Sequence, residues 1–217
     1  MPNYLELFDR EFAPKLGNRT FTFRKTFEIL ESQQKPFYTI IETGCVRQIG
    51  NWAGDGQSSI LFDKFLNTYD GVLHTVDLNL SACGELRKHV SQKTQINCSD
   101  SVNFLHQLVI KNPELKVDLL YLDSYDMDWN NPHPSSLHHL KELCAIMPAL
   151  RQGSLIVVDD TIKTLGVLTT PTTDNKIQYT VFKETGLIGK GVYVDDFFTN
   201  IGCQRIFDGY QTGYIYK

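Results

Sequence analysis

The chain has 217 residues, 41% of them hydrophobic and 21% charged, which is the composition of an ordinary globular protein. That length fits one larger domain or a compact core with a small accessory segment. A formal net charge of -4 argues against a nucleic-acid partner, which asks for a basic face, and no run approaches the ~18 consecutive apolar residues of a membrane helix.

In chain order, the N-terminal MPNYLELFDREF puts charges where a signal peptide needs an apolar core. Residues 1–35 are polar with scattered aromatics (Phe8, Phe12, Phe21, Phe23, Phe27) at spacings that fit one or two short helices. They read as an N-terminal helical extension to a domain over residues 36–217. A strand–helix rhythm then begins. PFYTIIET reads as a strand and SSILFDKFLN as a helix. GVLHTVD and ACGELRKHV form the next pair. TQINC is a weaker strand, and SVNFLHQLVI a helix after the candidate caps Asp100 and Ser101. VDLLYLD is a strong fourth strand, PSSLHHLKELCAIMPAL a long helix broken near Pro148, and SLIVVDD a fifth strand. Residues from Val192 to Ile201 read as a helix, and RIFDGYQTGYIYK as two strands joined by a tight turn near Gln211 to Gly213. The predicted fold is α/β: a doubly wound, Rossmann-like, mostly parallel sheet with helices on both faces and an antiparallel C-terminal hairpin. VDLLYL and SLIVV are nearly continuous apolar runs, as strands covered on both faces should be.

The five cysteines, Cys45, Cys83, Cys98, Cys144 and Cys203, are scattered and form no CxxC pair. They are expected to be buried or semi-buried free thiols in a reducing cytoplasm.

Ligands of an open α/β sheet bind beyond the carboxyl ends of its strands. After the first strand comes ETGCVRQIGNWAGDGQSS, rich in glycine, which lets a backbone approach a ligand closely. Gly44, Gly54 and Ser58 are candidate cofactor contacts there, against the plainer reading of a tight turn. Neither GxGxxG nor GxxxxGK[ST] occurs, so dinucleotide and nucleoside-triphosphate readings lose their main support. Asp77, ending the second strand, suits the paired hydroxyls of a ribose or the cap of the next helix. Ser99, Asp100 and Ser101 fit an adenine edge or, equally, a helix cap. Asp123 follows the fourth strand and Asp159 and Asp160 the fifth. If those strands are neighbours, three carboxylates converge and repel one another unless a cation intervenes, and hard oxygen donors select Mg²⁺, Ca²⁺ or Mn²⁺. The alternative is a helix cap with the other acids turned to solvent. Of the histidines around the long helix, His138 is expected to reach the cleft, while His74 and His106 are structural.

The run IIETGCVRQIGNWAGDGQSS, followed by TVDLN, CSDSVNFL, LLYLDSYD and IVVDDT, resembles the class I S-adenosylmethionine (SAM)-dependent methyltransferases over about residues 37 to 160. Within them it is most similar to the metal-dependent O-methyltransferases of the catechol, caffeoyl-CoA and especially macrocin types. The resemblance implies that Glu42 and Gly44 belong to the first SAM motif, that Asp77 holds the ribose, and that Asp100 and Ser101 lie near the adenine. It makes Asp123, Asp159 and Asp160 ligands of a divalent metal, Mg²⁺, which activates one of two neighbouring acceptor oxygens. Asp123 or His138 would take the proton. Trp52, Tyr125 and Trp129 would line the acceptor or stack on adenine. The expected partner is a small-molecule acceptor, a sugar or other diol, with no nucleic acid and no membrane; a homo-oligomer is compatible with this reading. Many relatives are shorter between Gly44 and Ser58. An NAD-type oxidoreductase and a non-catalytic SAM- or nucleoside-binding module are the rival readings.

Overall fold

The computed structural model describes the backbone of residues 3–162, 167–171, 177–181 and 186–217. Helices α1 (Tyr4–Glu11) and α2 (Thr20–Ser32) are joined by two single-turn 3-10 segments and lead into β1 (Tyr38–Thr43). The chain continues through α3 (Trp52–Asp55), α4 (Ser58–Thr68), β2 (Gly71–Asp77), α5 (Leu80–Leu86), β3 (Thr94–Cys98), α6 (Ser101–Lys111), β4 (Leu119–Leu122), α7 (His133–Ile146) and β5 (Leu155–Val158). Four short strands follow, β6 (Thr161–Ile162), β7 (Val167–Pro171), β8 (Ile177–Val181) and β9 (Ile188–Gly189), then α8 (Val192–Asn200), β10 (Gln204–Phe207) and β11 (Thr212–Ile215).

The main sheet has seven strands in the order β10-β11-β5-β4-β1-β2-β3. The five central and far strands run parallel, and β11 is antiparallel to both β5 and β10. Strand order reverses between β1 and β4, which places a switch point over their carboxyl ends. Alternate residues of the central strands feed opposite cores. Ile40, Tyr121, Leu155 and Val157 face an aromatic cluster with Tyr4, Phe8, Phe23, Phe27, Phe62 and Phe65. Ile41, Leu120, Leu122, Ile156 and Val158 face Leu105, Leu143, Ile146 and Phe198 of the other helical layer.

Three expectations need correction. α5 begins before Ala82, because Asn79 caps it by accepting from the Ser81 and Ala82 N–H groups, and it ends at Leu86. The hairpin turn lies before Thr212, not at Gln211 to Gly213: Gly213 is a strand residue over which the Phe207 ring packs, where a Cβ would come within 2.3 Å of that ring. Of the five free thiols, Cys45 and Cys83 are buried but Cys98 and Cys144 are exposed, one ending the edge strand β3 and one on α7. Among the described residues, no helix is long and apolar enough to cross a membrane.

Candidate functional site

The β1–α4 loop is built by backbone that only particular residues tolerate. Gly44 has φ +79, and a Cβ there would stand 2.5 Å from the Asp123 carbonyl oxygen, so the tips of β1 and β4 touch through a glycine. Gln57, at φ +54 and 1% exposed, closes the loop: its Oε1 accepts from Gly50 N–H and its Nε2 donates to the Gln48 carbonyl. A strained, fully buried polar residue of this kind persists only where its surroundings over-determine it.

Asp77 ends β2 with both carboxylate oxygens engaged. Oδ2 accepts from Cys45 N–H at 3.0 Å and Oδ1 from Asn79 N–H at 2.7 Å. It does not cap α5, a task that falls to Asn79. Each oxygen keeps a second lone pair. Asp77 and Leu78 line two adjoining cavities. One, of about 80 Å³, is bounded by Ser99, Asp100, Ser101, Ser124, Tyr125 and His138. The other, of about 300 Å³, is bounded by Gly44, Cys45, Arg47, Asp55, Ser58, Asn79, Asp123, Ser124 and Asp126. Asp100 also caps α6, accepting from Asn103 N–H, so its binding and capping readings coexist.

His138 lies in the smaller cavity, its ring 5.3 Å from that of Tyr125. Its Nε2 is 3.0 Å from Ser101 Oγ and 3.3 Å from Glu142 Oε1. Glu142, fully buried and one turn after His138, also accepts from Thr43 Oγ1 and Ser124 Oγ. Burial opposes its ionisation, but the His138, His139 and hydroxyl partners prevail and hold its pKa below the ordinary value. His139 turns into the core, donates from Nδ1 to the Ser135 carbonyl, and is held neutral by burial, its pKa lowered to about 4. Glu42 is fully buried beneath the loop, with Oε2 accepting from Ser59 Oγ and Oε1 unpartnered. Gly54 lines neither cavity; its N–H is taken by the Asn51 side chain and its carbonyl lies 3.5 Å from Arg19. Trp52 stacks on Phe12 at 5.5 Å, joining the loop to the N-terminal helices.

Leu122 and Val158 are partners in the β4–β5 register, so Asp123 and Asp159 emerge side by side. One carboxylate oxygen from each of Asp123, Asp159 and Asp160 lies within 4.8 Å of the others. Their repulsion is answered in part by two cations that the sequence did not single out. Arg19, 8% exposed in its side chain, donates from Nε and NH2 to both oxygens of Asp159 and reaches Asp160 at 3.4 Å. It also donates to the Ala53 carbonyl and lies over the Tyr210 ring at 4.4 Å. Lys190 donates to Asp123 and sits 3.0 Å from Asp160 Oδ2. Burial works against the charge on Asp160, yet Lys190 and Arg19 outweigh it and keep its pKa low. Three carboxylates against two cations leave one negative charge over, and it shows at Asp123, whose pKa burial and the neighbouring acids push up despite Lys190. Clustered hard oxygen donors with a residual negative charge fit a divalent cation such as Mg²⁺.

The only advance signals for these cations were the glycines flanking Lys190, and for Glu142 its spacing four residues after His138. Asp160 itself is held at φ +43, a left-handed conformation that Asp and Asn tolerate better than most residues.

This architecture is the fold of the class I methyltransferases, and solved structures share it. The chain is similar to CalS11, described as a calicheamicin methyltransferase, at 14% identity and TM-score 0.58, over 100% of this chain and 87% of that one. It is similar to an O-methyltransferase from Bacillus cereus in complex with SAH at 14% identity and TM-score 0.51, over 98% and 90% of the two chains. The MycE methyltransferase of mycinamycin biosynthesis, in complex with Mg and SAH, matches at 18% identity and TM-score 0.51, over 73% of this chain but only 37% of that one. No protein-family model and no curated protein matches the chain.

Proposed function

We propose that the chain is a SAM-dependent methyltransferase acting on a hydroxyl group of a small acceptor, a sugar or another vicinal diol, with a divalent cation, Mg²⁺ for choice, at Asp123, Asp159 and Asp160. The observation that carries this reading is the larger cavity, which runs from Asp77 to Asp123 and is lined by Asp55, Asp77, Asp123 and Asp126 against the single cation Arg47. SAM carries a sulfonium and an ammonium, which such a lining attracts. A dinucleotide carries a pyrophosphate, which it repels.

In this reading Asp77 accepts from the ribose hydroxyls with the lone pairs that Cys45 and Asn79 leave free. Asp100, Ser101, Tyr125 and His138 flank the adenine, and Gly44 and Ser58 border the methionine portion. His138 thereby serves the nucleoside, and of the two groups considered for proton transfer Asp123 is the one facing the larger cavity. A cation at the acids would lower the pKa of a bound acceptor hydroxyl. The acceptor class is supported by CalS11, described as a TDP-rhamnose 3'-O-methyltransferase, and the metal by the Mg in MycE.

Calorimetry tests the reading: SAM and SAH bind to the folded chain and NAD does not, and Asp77→Ala weakens SAH binding by about 1–3 kcal/mol through the lost charge-assisted bonds. Uptake of NAD without SAM or SAH would falsify it. Binding of SAM with no methylated product across a panel of sugars and diols would favour the non-catalytic module.

A further inference from the structure

Lys190 is the most tightly enclosed cation of the site, with 3% of its side chain exposed. Its position is fixed by the backbone on both sides. Its own N–H donates to the Asp160 carbonyl at 3.1 Å. Gly189, at φ +118, passes so close to that carbonyl that a Cβ would stand 1.8 Å from its oxygen. The N–H of Gly191 donates to Thr161 Oγ1 at 2.9 Å. From this anchored start the side chain delivers its ammonium to Asp123 and to Asp160 Oδ2, two of the three acids of the cluster.

An ammonium on a flexible four-carbon stem is a movable point charge. Arg19 is not equivalent, since its guanidinium is committed to both oxygens of Asp159, a loop carbonyl and the ring of Tyr210. A dication on Asp123 and Asp160 would compete with the ammonium for the same two carboxylates, and the two like charges would repel each other. We propose that Lys190 is an internal counter-ion standing in the cation position between Asp123 and Asp160, and that a divalent cation binds by displacing its ammonium. The inference rests on the metal part of the function proposed above. It accounts for how three clustered carboxylates stay together in the metal-free chain.

The test uses the full chain and Mn²⁺, followed by calorimetry and by the electron spin resonance of the ion, with thermal melting of the metal-free protein. Lys190→Met should bind Mn²⁺ about tenfold or more tightly than the parent, since even water-screened contact between a unit charge and a dication exceeds that factor. Its metal-free form should melt lower, and Mn²⁺ or a second change, Asp160→Asn, should restore the melting point. Lys190→Arg, which keeps the charge, should bind Mn²⁺ no more tightly than the parent. If folded Lys190→Met binds Mn²⁺ equally or more weakly than a parent that does bind it, the counter-ion role is overturned and the proposed function stands. If no form binds Mn²⁺ while all bind SAH, the metal part of the function is wrong and this inference fails with it. Should Lys190→Met not fold, the Asp160→Asn double variant supplies the same comparison against Asp160→Asn alone.

Discussion

Glu42 is a carboxyl in a place that disfavours charge. Burial pushes its pKa up to about 7, against the help of the hydrogen bond from Ser59. An acid whose folded pKa lies above its unfolded value of about 4.5 takes up a proton on folding between the two. Its contribution to stability is therefore most favourable below about 4.5, and it is lost as pH rises through about 7. Glu42→Gln keeps the shape and removes the titration. It should leave urea stability almost unchanged at the acid end of that window and raise it above the window by up to about 3 kcal/mol, flattening the pH profile. Arg19 poses the opposite case, a charge that is needed. Arg19→Met leaves Asp159, 1% exposed, without its partner, and removal of one member of a buried pair costs about 3–5 kcal/mol. Adding Asp159→Asn should recover much of this in thermal melts. No recovery would mean that Arg19 acts instead through the carbonyls of the 45–57 loop. The Arg19–Asp159 pairing was not legible in the sequence, because the two residues are 140 positions apart and no local pattern connects them. The acids themselves were legible, since each directly follows an apolar run.

At the scale of elements, the strands read easily for the same physical reason. β4 and β5 are buried on both faces, so all four residues of each are apolar or aromatic. What periodicity could not convey is the standing of α1 and α2. Their aromatic spacing predicted helices, but not that Tyr4, Phe8, Phe23 and Phe27 would cover one face of the sheet. Phe27 packs its ring 4.7 Å from Tyr4, 5.4 Å from Phe8 and 5.6 Å from Phe65, and Tyr4 Oη donates to the Leu61 carbonyl inside that cluster. Phe27→Ala should cost about 3–5 kcal/mol, as other large-to-small core changes do. A chain cut to residues 36–217 should lose its cooperative melt and bind a hydrophobic dye, having exposed one side of its sheet. Cooperative melting of that shorter chain would show that the two helices are an appendage to a self-sufficient domain.

At the scale of the molecule, the switch point between β1 and β4 gathers the candidate cofactor pocket and the acid cluster at one end of the sheet. Asp77 ends β2 while the acids follow β4 and β5, so, although Asp123 borders the cofactor cavity, the ribose and metal contacts should separate experimentally. A chelator should abolish methyl transfer while leaving SAH affinity within about twofold, and Mg²⁺ should restore the rate; twofold is about 0.4 kcal/mol, the deviation that independent sites show. Full activity in chelator-treated protein would leave Arg19 and Lys190 as the only counter-charges the acids need. The glycine at position 44 sets a limit to that independence. It lies against the Asp123 backbone, so any larger residue there should disturb cofactor and acid cluster together.

The placement of β11 has a consequence for how the chain comes into being. The strand lies between β5 and β10, so the edge of β5 is closed by a segment made long after it. While the ribosome adds the residues from Asp159 to Gln211, at about 5–20 per second, LIVV keeps an open row of backbone donors and acceptors for an interval of seconds. An apolar strand with one free edge is a template for pairing with another chain. Synthesis is then a stage at which this fold is exposed to aggregation, and slowing translation after β5 should lower its soluble yield.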